Sequence, residues 1–299
     1  MLPARNMIVI AGPTAVGKTS IAIEVAQHFN TSIISADSRQ CYKEMNIGVA
    51  RPSEEELKKV PHYFIASHSI REPLHAAAFA AYALKISEEI FADKKHVILT
   101  GGTGLYIRAF LEGMDEIPQV PPEIRWKLMD AYQANGLEWL QDEVSVKDPA
   151  FFAQGEIYNP QRLLRALEVF YATGKSILEF RKGKKAVHDF NVIKIALDLP
   201  REVLYSRIND RVDQMIANGL VDEVKALLPF KTLNALQTVG YKEIFDHLEG
   251  KLSLDEAVAL IKQNTRHYAK RQLTWFRKDE EYVWMKPEAE KVIAYLNCR

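Results

Sequence analysis

An α/β fold, a parallel-sheet core carrying an all-helical insertion, is predicted by three observations. The first is Gly12-Pro13-Thr14-Ala15-Val16-Gly17-Lys18-Thr19, a complete phosphate-binding loop set between an apolar run and a helical pattern. The second is the recurrence of short apolar runs separated by helical segments, the signature of βαβ units. The third is the loss of strand signal between about Ile117 and Phe190, where Pro118, Pro121 and Pro122 open a stretch of helical sequence. Together they describe a P-loop-containing, nucleoside-triphosphate-hydrolase-like core.

The elements follow in order. Met7-Ile8-Val9-Ile10-Ala11 is continuously apolar, as a strand covered on both faces should be. After the loop, Ser20 to Phe29 is apolar at helical spacing. Further strands are read at 32–36, 96–100, 192–197 and 282–285. Long helical patterns run from Pro200 to Leu228 and from Leu254 to Phe276. Between them, helices are expected near 122–134, 136–144 and 160–173, the last with Asn159 as N-cap, Pro160 in its first turn and Gly174 just past its end. The domain reading is a core of 1–117 with 191–299 and an insertion of 118–190, either a separate lobe or a continuation of one fold.

Composition bounds the function. Hydrophobic residues at 47% and charged residues at 26% describe a globular chain able to bury a core. Lys plus Arg and Asp plus Glu both number 39, so no net field draws in a polyanion and nucleic-acid binding must come from local patches. Only Cys41 and Cys298 occur, which excludes a disulfide framework and a cysteine-rich zinc site. No signal-peptide core precedes the first strand, and no apolar run approaches the ~20 residues of a membrane span. A soluble cytoplasmic protein is expected. No heptad or exposed apolar stripe implies a protein partner, which suits a monomer.

Ligands of parallel sheets gather at the carboxyl ends of strands. The loop's backbone N–H groups, the helix N-terminus behind them and the Lys18 ammonium suit an anion, and the Thr19 hydroxyl suits Mg²⁺. Asp37 follows the second strand and is available as a Mg²⁺ partner, as a general base or as the cap of its own turn. After the third strand come Gly101-Gly102-Thr103, without the metal-binding aspartate of an ordinary ATPase. Water activation for hydrolysis therefore has no organiser, which argues against a motor or a nucleotide switch.

Further motifs follow the loop in order. They are Asp37-Ser38-Arg39-Gln40, Met45-Asn46-Ile47-Gly48 with Ala50-Arg51-Pro52, Pro61-His62, Gly101-Gly102-Thr103-Gly104-Leu105-Tyr106, Asn159 to Val169, Gly240-Tyr241-Lys242-Glu243 and Lys270 to Arg277. With them the sequence resembles the tRNA dimethylallyltransferases (tRNA isopentenyltransferases) from residue 8 to about 278. The resemblance implies transfer of a dimethylallyl group from dimethylallyl diphosphate to the exocyclic N6 of adenosine 37 in the tRNA anticodon stem-loop. Residues Gly12 to Thr19 would grip the diphosphate, with Lys18 and Mg²⁺ on Thr19 neutralising charge as the allylic C–O bond breaks. Asp37 would take the amine proton, Thr103 would help hold the reacting groups, and Arg211 would contact the diphosphate. Implied tRNA contacts fall on Asp37, Ser38, Arg39, Gln40, Thr103, Arg125, Gln161, Arg162, Leu163, Leu164, Arg165, Gly240, Tyr241, Lys242, Lys270, Arg271 and Arg277. Ser38 and Gln40 would meet base edges, and Arg39 a phosphate. The zinc finger that ends many eukaryotic members is missing, so the chain looks like the bacterial form and zinc is not expected.

The residues alone leave alternatives open. Arg207 and Arg211, spaced i and i+4, also read as a solvated helix face beside Asp210. The basic segments 161–185 and 262–278 read as solvated faces or as RNA-binding patches. A nucleoside or nucleotide kinase would share the loop, the Mg²⁺ site and the carboxylate, yet leave the insertion and the basic C-terminal helix idle. Prenyl transfer to free adenine nucleotides would do the same.

Overall fold

All strands of the sheet run in one direction, as expected where helices rather than hairpins connect them. The computed structural model describes residues 5–183 and 186–299. Strands β1 (Asn6–Ala11), β2 (Ile33–Ser35), β3 (His62–Tyr63), β4 (His96–Gly101), β5 (Asn191–Leu197) and β6 (Val283–Met285) form one six-stranded sheet in the order β3-β2-β4-β1-β5-β6. At its centre Ile8 of β1 pairs with Ile98 of β4 and Ile193 of β5. β3 is only two residues long and pairs with Ile33 and Ile34, too short for a periodic signal to reveal it in the sequence.

The chain divides into two compact units, one of Met1–Leu111 with Val187–Arg299 and one of Glu112–Ala186, against the 118–190 insertion that the sequence predicts. In the first unit the helices are α1 (Lys18–His28), α2 (Glu54–Lys59), α3 (Ala76–Phe91), α4 (Gly104–Glu112, ending in the second unit) and, after the second unit, five more. The second unit holds α5 (Pro122–Lys147), α6 (Pro149–Gln154), α7 (Pro160–Thr173) and α8 (Ile177–Phe180). The chain then continues through α9 (Arg201–Ala217), α10 (Leu220–Ala226), α11 (Tyr241–Leu248), α12 (Leu254–Phe276) and α13 (Ala289–Asn297).

Strand alternation sorts the first unit's core into two layers. Met7, Val9 and Ala11 face Phe79, Ile107, Val212 and Ile261, whereas Ile8 and Ile10 face Ile21, Val25, Leu204 and Val292. Both faces are covered, which is why β1 reads as unbroken apolar sequence. The single helical pattern expected from Pro200 to Leu228 is two helices, because Gly219 adopts φ 95° and separates them. The Leu254–Phe276 helix is continuous and opens on a capping box between Ser253 and Glu256.

The second unit packs Leu128, Leu140, Val144, Phe151, Leu163, Leu164 and Leu167 into a core of its own. The two helices expected at 122–134 and 136–144 follow one another through a break at Gly136, and the second runs on to Lys147. The Asn159 carboxamide caps α7 by accepting from the Gln161 and Arg162 N–H groups, and Gly174 ends it. The short α6 and α8 lie in sequence too brief for a period to show. Among the described residues no helix is long and apolar enough to cross a membrane.

Candidate active site

The phosphate loop joins the buried end of β1 to the first turn of α1, so its backbone must reverse in few residues. Gly17 takes φ 103° as the helix N-cap, where a side chain would be strained. Lys18 Nζ donates to the Pro13 carbonyl at 2.7 Å, folding the ammonium back over the loop. The loop is also fastened from a distance. Thr14 N–H donates to Gln272 Oε1 at 2.8 Å, and Gln272 Nε2 donates to the Gly102 carbonyl at 2.8 Å. Gln272, only 6% exposed, thus ties the loop after β1 to the turn after β4. A Cβ on Gly102 would stand 2.1 Å from the Gln272 amide nitrogen, so a side chain there would displace the carboxamide from its present bonds.

These segments line a cleft of about 530 Å³ shared by Thr14, Lys18, Thr19, Asp37, Gln40, Glu56, Arg211, Tyr268 and Gln272. Burial lowers the Lys18 pKa to about 7; the Asp37 charge opposes the shift and the Arg211 charge adds to it. The Thr19 hydroxyl has no hydrogen-bond partner among the described residues. Asp37 caps its own turn. Its Oδ1 accepts from the Arg39 N–H at 2.8 Å and the Gln40 N–H at 3.1 Å, closing an Asx turn, while Oδ2 has no partner among the described residues.

The solvated-face reading of Arg207 and Arg211 gives way. Arg207 Nη1 donates to the Val16 carbonyl, and Arg211 donates to Thr14 Oγ1 and to the Ala50 carbonyl, each at 3.4 Å. One turn of α9 therefore presents two guanidiniums to the phosphate loop. Thr103 holds the facing turn: its hydroxyl accepts from the Ser38 N–H at 3.1 Å and donates to Ser38 Oγ at 3.4 Å. Tyr268 lines the same cleft, and the loss of solvent around its hydroxyl there raises its pKa to about 12.

A second layer fixes the segment behind the cleft. The Glu223 carboxylate accepts from the N–H groups of Asn46, Ile47 and Gly48 at 3.2, 2.7 and 3.0 Å, and from the Tyr241 hydroxyl at 2.6 Å. From the other side the Arg51 guanidinium donates to the carbonyls of Tyr42, Lys43 and Met45. Gln40 Nε2 donates to the carbonyls of Val49 and Ala50, and Arg39 Nη1 to those of Asn234 and Ala235. Arg39 and Gln40, expected to meet a phosphate and a base edge, also satisfy the protein's own backbone. Tyr241, expected at the RNA, is wholly buried.

The family model described as IPP transferase matches residues 40–279. The chain belongs to the IPP transferase family. It is 49% identical over 281 residues to a tRNA dimethylallyltransferase of Christiangramia forsetii, covering 94% of this chain and 93% of that one. It is 43% identical over 298 residues to tRNA dimethylallyltransferase 1 of Bacteroides fragilis, covering 99% of each. Among solved structures it resembles the full-length tRNA isopentenylpyrophosphate transferase of Bacillus halodurans at TM-score 0.71 and 36% identity, over 98% of this chain and 95% of that one. It also resembles a eukaryotic dimethylallyltransferase captured acting on tRNA, at TM-score 0.72 and 28% identity, over 91% of this chain and 70% of that one.

The family motifs away from the cleft divide by burial. In the second unit Leu163 and Leu164 are core residues, whereas Gln161, Arg162, Arg165 and Arg125 stand outside the core. Arg162 pairs with Glu156, and Arg125 and Arg165 both pair with Glu168. In the first unit Gly240 donates its N–H to Glu243 at 2.8 Å, and Lys242 and Lys270 are exposed. Arg271 lies 5.8 Å from the Tyr268 ring centroid. The segment 262–278 has no acid of its own, yet space supplies two: Lys262 pairs with Asp213 at 2.6 Å and Arg277 with Asp198 at 3.1 Å. Lys184 and Lys185 of the first basic segment lie outside the described residues. Glu223 and Tyr268 join the site without a motif to mark them, and Gln272 lies within the Lys270–Arg277 motif but had no role assigned; only the i, i+4 spacing of Tyr268 and Gln272 on a basic helix hints at a shared face.

Proposed function

We propose that the chain is an enzyme that transfers the dimethylallyl group of dimethylallyl diphosphate to N6 of adenosine 37 in the anticodon stem-loop of tRNA, with diphosphate as the second product. One observation carries the reading: a phosphate loop and a carboxylate oxygen without a partner among the described residues share a single cleft. In the transfer the allylic C–O bond breaks, a C–N bond forms at the exocyclic nitrogen, and the amine proton passes to Asp37. An aromatic amine is a weak nucleophile, and a positioned base contributes ~10²–10⁴-fold. The loop N–H groups, Lys18 and Arg211 meet the charge that gathers on the departing diphosphate.

Mg²⁺ fits the same place, since the Thr19 hydroxyl lines the cleft without a partner among the described residues and suits a cation that keeps most of its water and binds phosphate oxygens. When bound there, Mg²⁺ supplies further charge neutralisation at the diphosphate. The acceptor base must leave its stack, which costs least in a loop that is already unpaired. Acting on tRNA, the enzyme would work in the cytoplasm. The test is incubation of the protein with dimethylallyl diphosphate, Mg²⁺ and unmodified tRNA, followed by nucleoside analysis. N6-dimethylallyladenosine at position 37 is the expected product. ATP turnover on a small acceptor, with no prenylated nucleoside, would establish a kinase instead.

A further inference from the structure

We propose that Glu168 is a positioning residue for RNA binding, whose buried carboxylate holds Arg125 and Arg165 together as a clamp for backbone phosphates. The inference rests on the RNA-directed function proposed above. Arg125 Nη1 lies 3.4 Å from Glu168 Oε1, and Arg165 Nη1 lies 3.0 Å from Oε2. The Glu168 side chain is 4% exposed, whereas those of Arg125 and Arg165 are 55% and 39% exposed. One anion therefore anchors two cations whose remaining N–H groups are open to solvent.

Stability does not account for this arrangement. Glu168 stands on α7 among the buried residues Leu164, Ala166, Leu167 and Val169, where an apolar residue of similar volume would avoid desolvating a charge. What the carboxylate supplies is order. A guanidinium carries five N–H donors in a rigid fork, so one or two bonds to Glu168 leave others for a phosphate. Fixing two such forks beforehand lowers the ordering cost of RNA binding. Arg162 provides the contrast, since its partner Glu156 is itself half exposed and fixes nothing.

Charge counting and the clamp predict opposite signs. Glu168→Gln removes a negative charge, so simple electrostatics calls for tighter RNA binding; loss of the clamp calls for weaker binding. We expect the full-length Glu168→Gln protein to bind unmodified tRNA roughly tenfold more weakly, with the slope of log K against log [KCl] shallower by about 1. Dimethylallyl diphosphate affinity serves as the internal control and should hold. In an Arg125→Gln/Arg165→Gln background, Glu168→Gln should weaken tRNA binding no further.

Equal or tighter tRNA binding by Glu168→Gln, or a loss that adds fully to that of the arginine pair, overturns the clamp. Should Glu168→Gln fail to fold, Arg125→Lys/Arg165→Lys is measured in its place. Those lysines keep the charge without the fork, so unchanged affinity would overturn the clamp and weaker binding would support it. Wild-type protein that prenylates tRNA while either outcome overturns the clamp leaves the functional reading intact. Wild-type protein that forms no prenylated nucleoside removes that reading and the clamp together.

Discussion

In the sheet unit the Glu223 carboxylate binds three backbone N–H groups and a buried tyrosine hydroxyl, whereas in the helical unit the buried Glu168 pairs, among the described residues, with two partly exposed arginine side chains. The same difference recurs around each. Gln272, Arg51, Gln40 and Arg39 all fasten backbone in the sheet unit, leaving Lys18, Thr19 and one oxygen of Asp37 for a ligand. A small, densely charged diphosphate is best met by dipoles that need not rearrange. A polynucleotide spreads its charge over a long strand and is better met by side chains that reach. The contrast matches the two substrates proposed.

The largest expected effect lies in the sheet unit. Asp37→Ala should lower the single-turnover rate ~10²–10⁴-fold, with donor and tRNA affinities near wild type. A loss confined to affinity would show that Asp37 serves its turn alone, and the contrast between fastening and reacting groups would fail. Next is Gln272→Leu, which leaves the Thr14 N–H and the Gly102 carbonyl without their partner. Each buried orphan costs about 1–3 kcal/mol, and a guanidinium chloride titration should report a loss of that order together with weaker diphosphate binding. Unchanged diphosphate affinity would make Gln272 a matter of stability only.

The third prediction concerns pH. Lys18 has a pKa of about 7 in the free protein, and an arriving diphosphate raises it, so the complex holds more protons than the free protein. Donor affinity should therefore fall as pH rises above about 7, by up to about tenfold per pH unit. Calorimetry at pH 8 in buffers of different ionisation enthalpy should show proton uptake; none would mean that Lys18 keeps its charge throughout. The smallest effect belongs to the helical unit. Arg162→Gln with Arg165→Gln should weaken tRNA binding and lower the salt slope by about 1 for each phosphate no longer neutralised, with the donor's affinity untouched. A shift in donor affinity would blur the division of labour between the units.

How much was legible follows the same division. The phosphate loop and the Asp37 turn are contiguous in sequence and sit at strand ends, so a local pattern exposes both. The sheet was legible because each strand buried on both faces writes an apolar run, except β3, whose two residues write nothing. Glu223 and Gln272 work across separations of 175 and 258 residues, and no window of sequence records such a partnership. Arg39 is a like case: nothing local in its motif records that its guanidinium bonds the carbonyls of Asn234 and Ala235. The split at Gly219 was hidden because apolar spacing continues on both sides of it, although glycine is the usual residue for a helix stop.

The stitch made by Gln272 has a consequence for how the protein comes into being. A ribosome delivers Thr14 early and the glutamine that fastens it 258 positions later, so a nascent chain carries the loop unfastened through most of its synthesis. The cleft is completed only when α12 docks. Incomplete translation products should then be unable to sequester prenyl donor, and competence should arrive in one late step rather than growing with chain length.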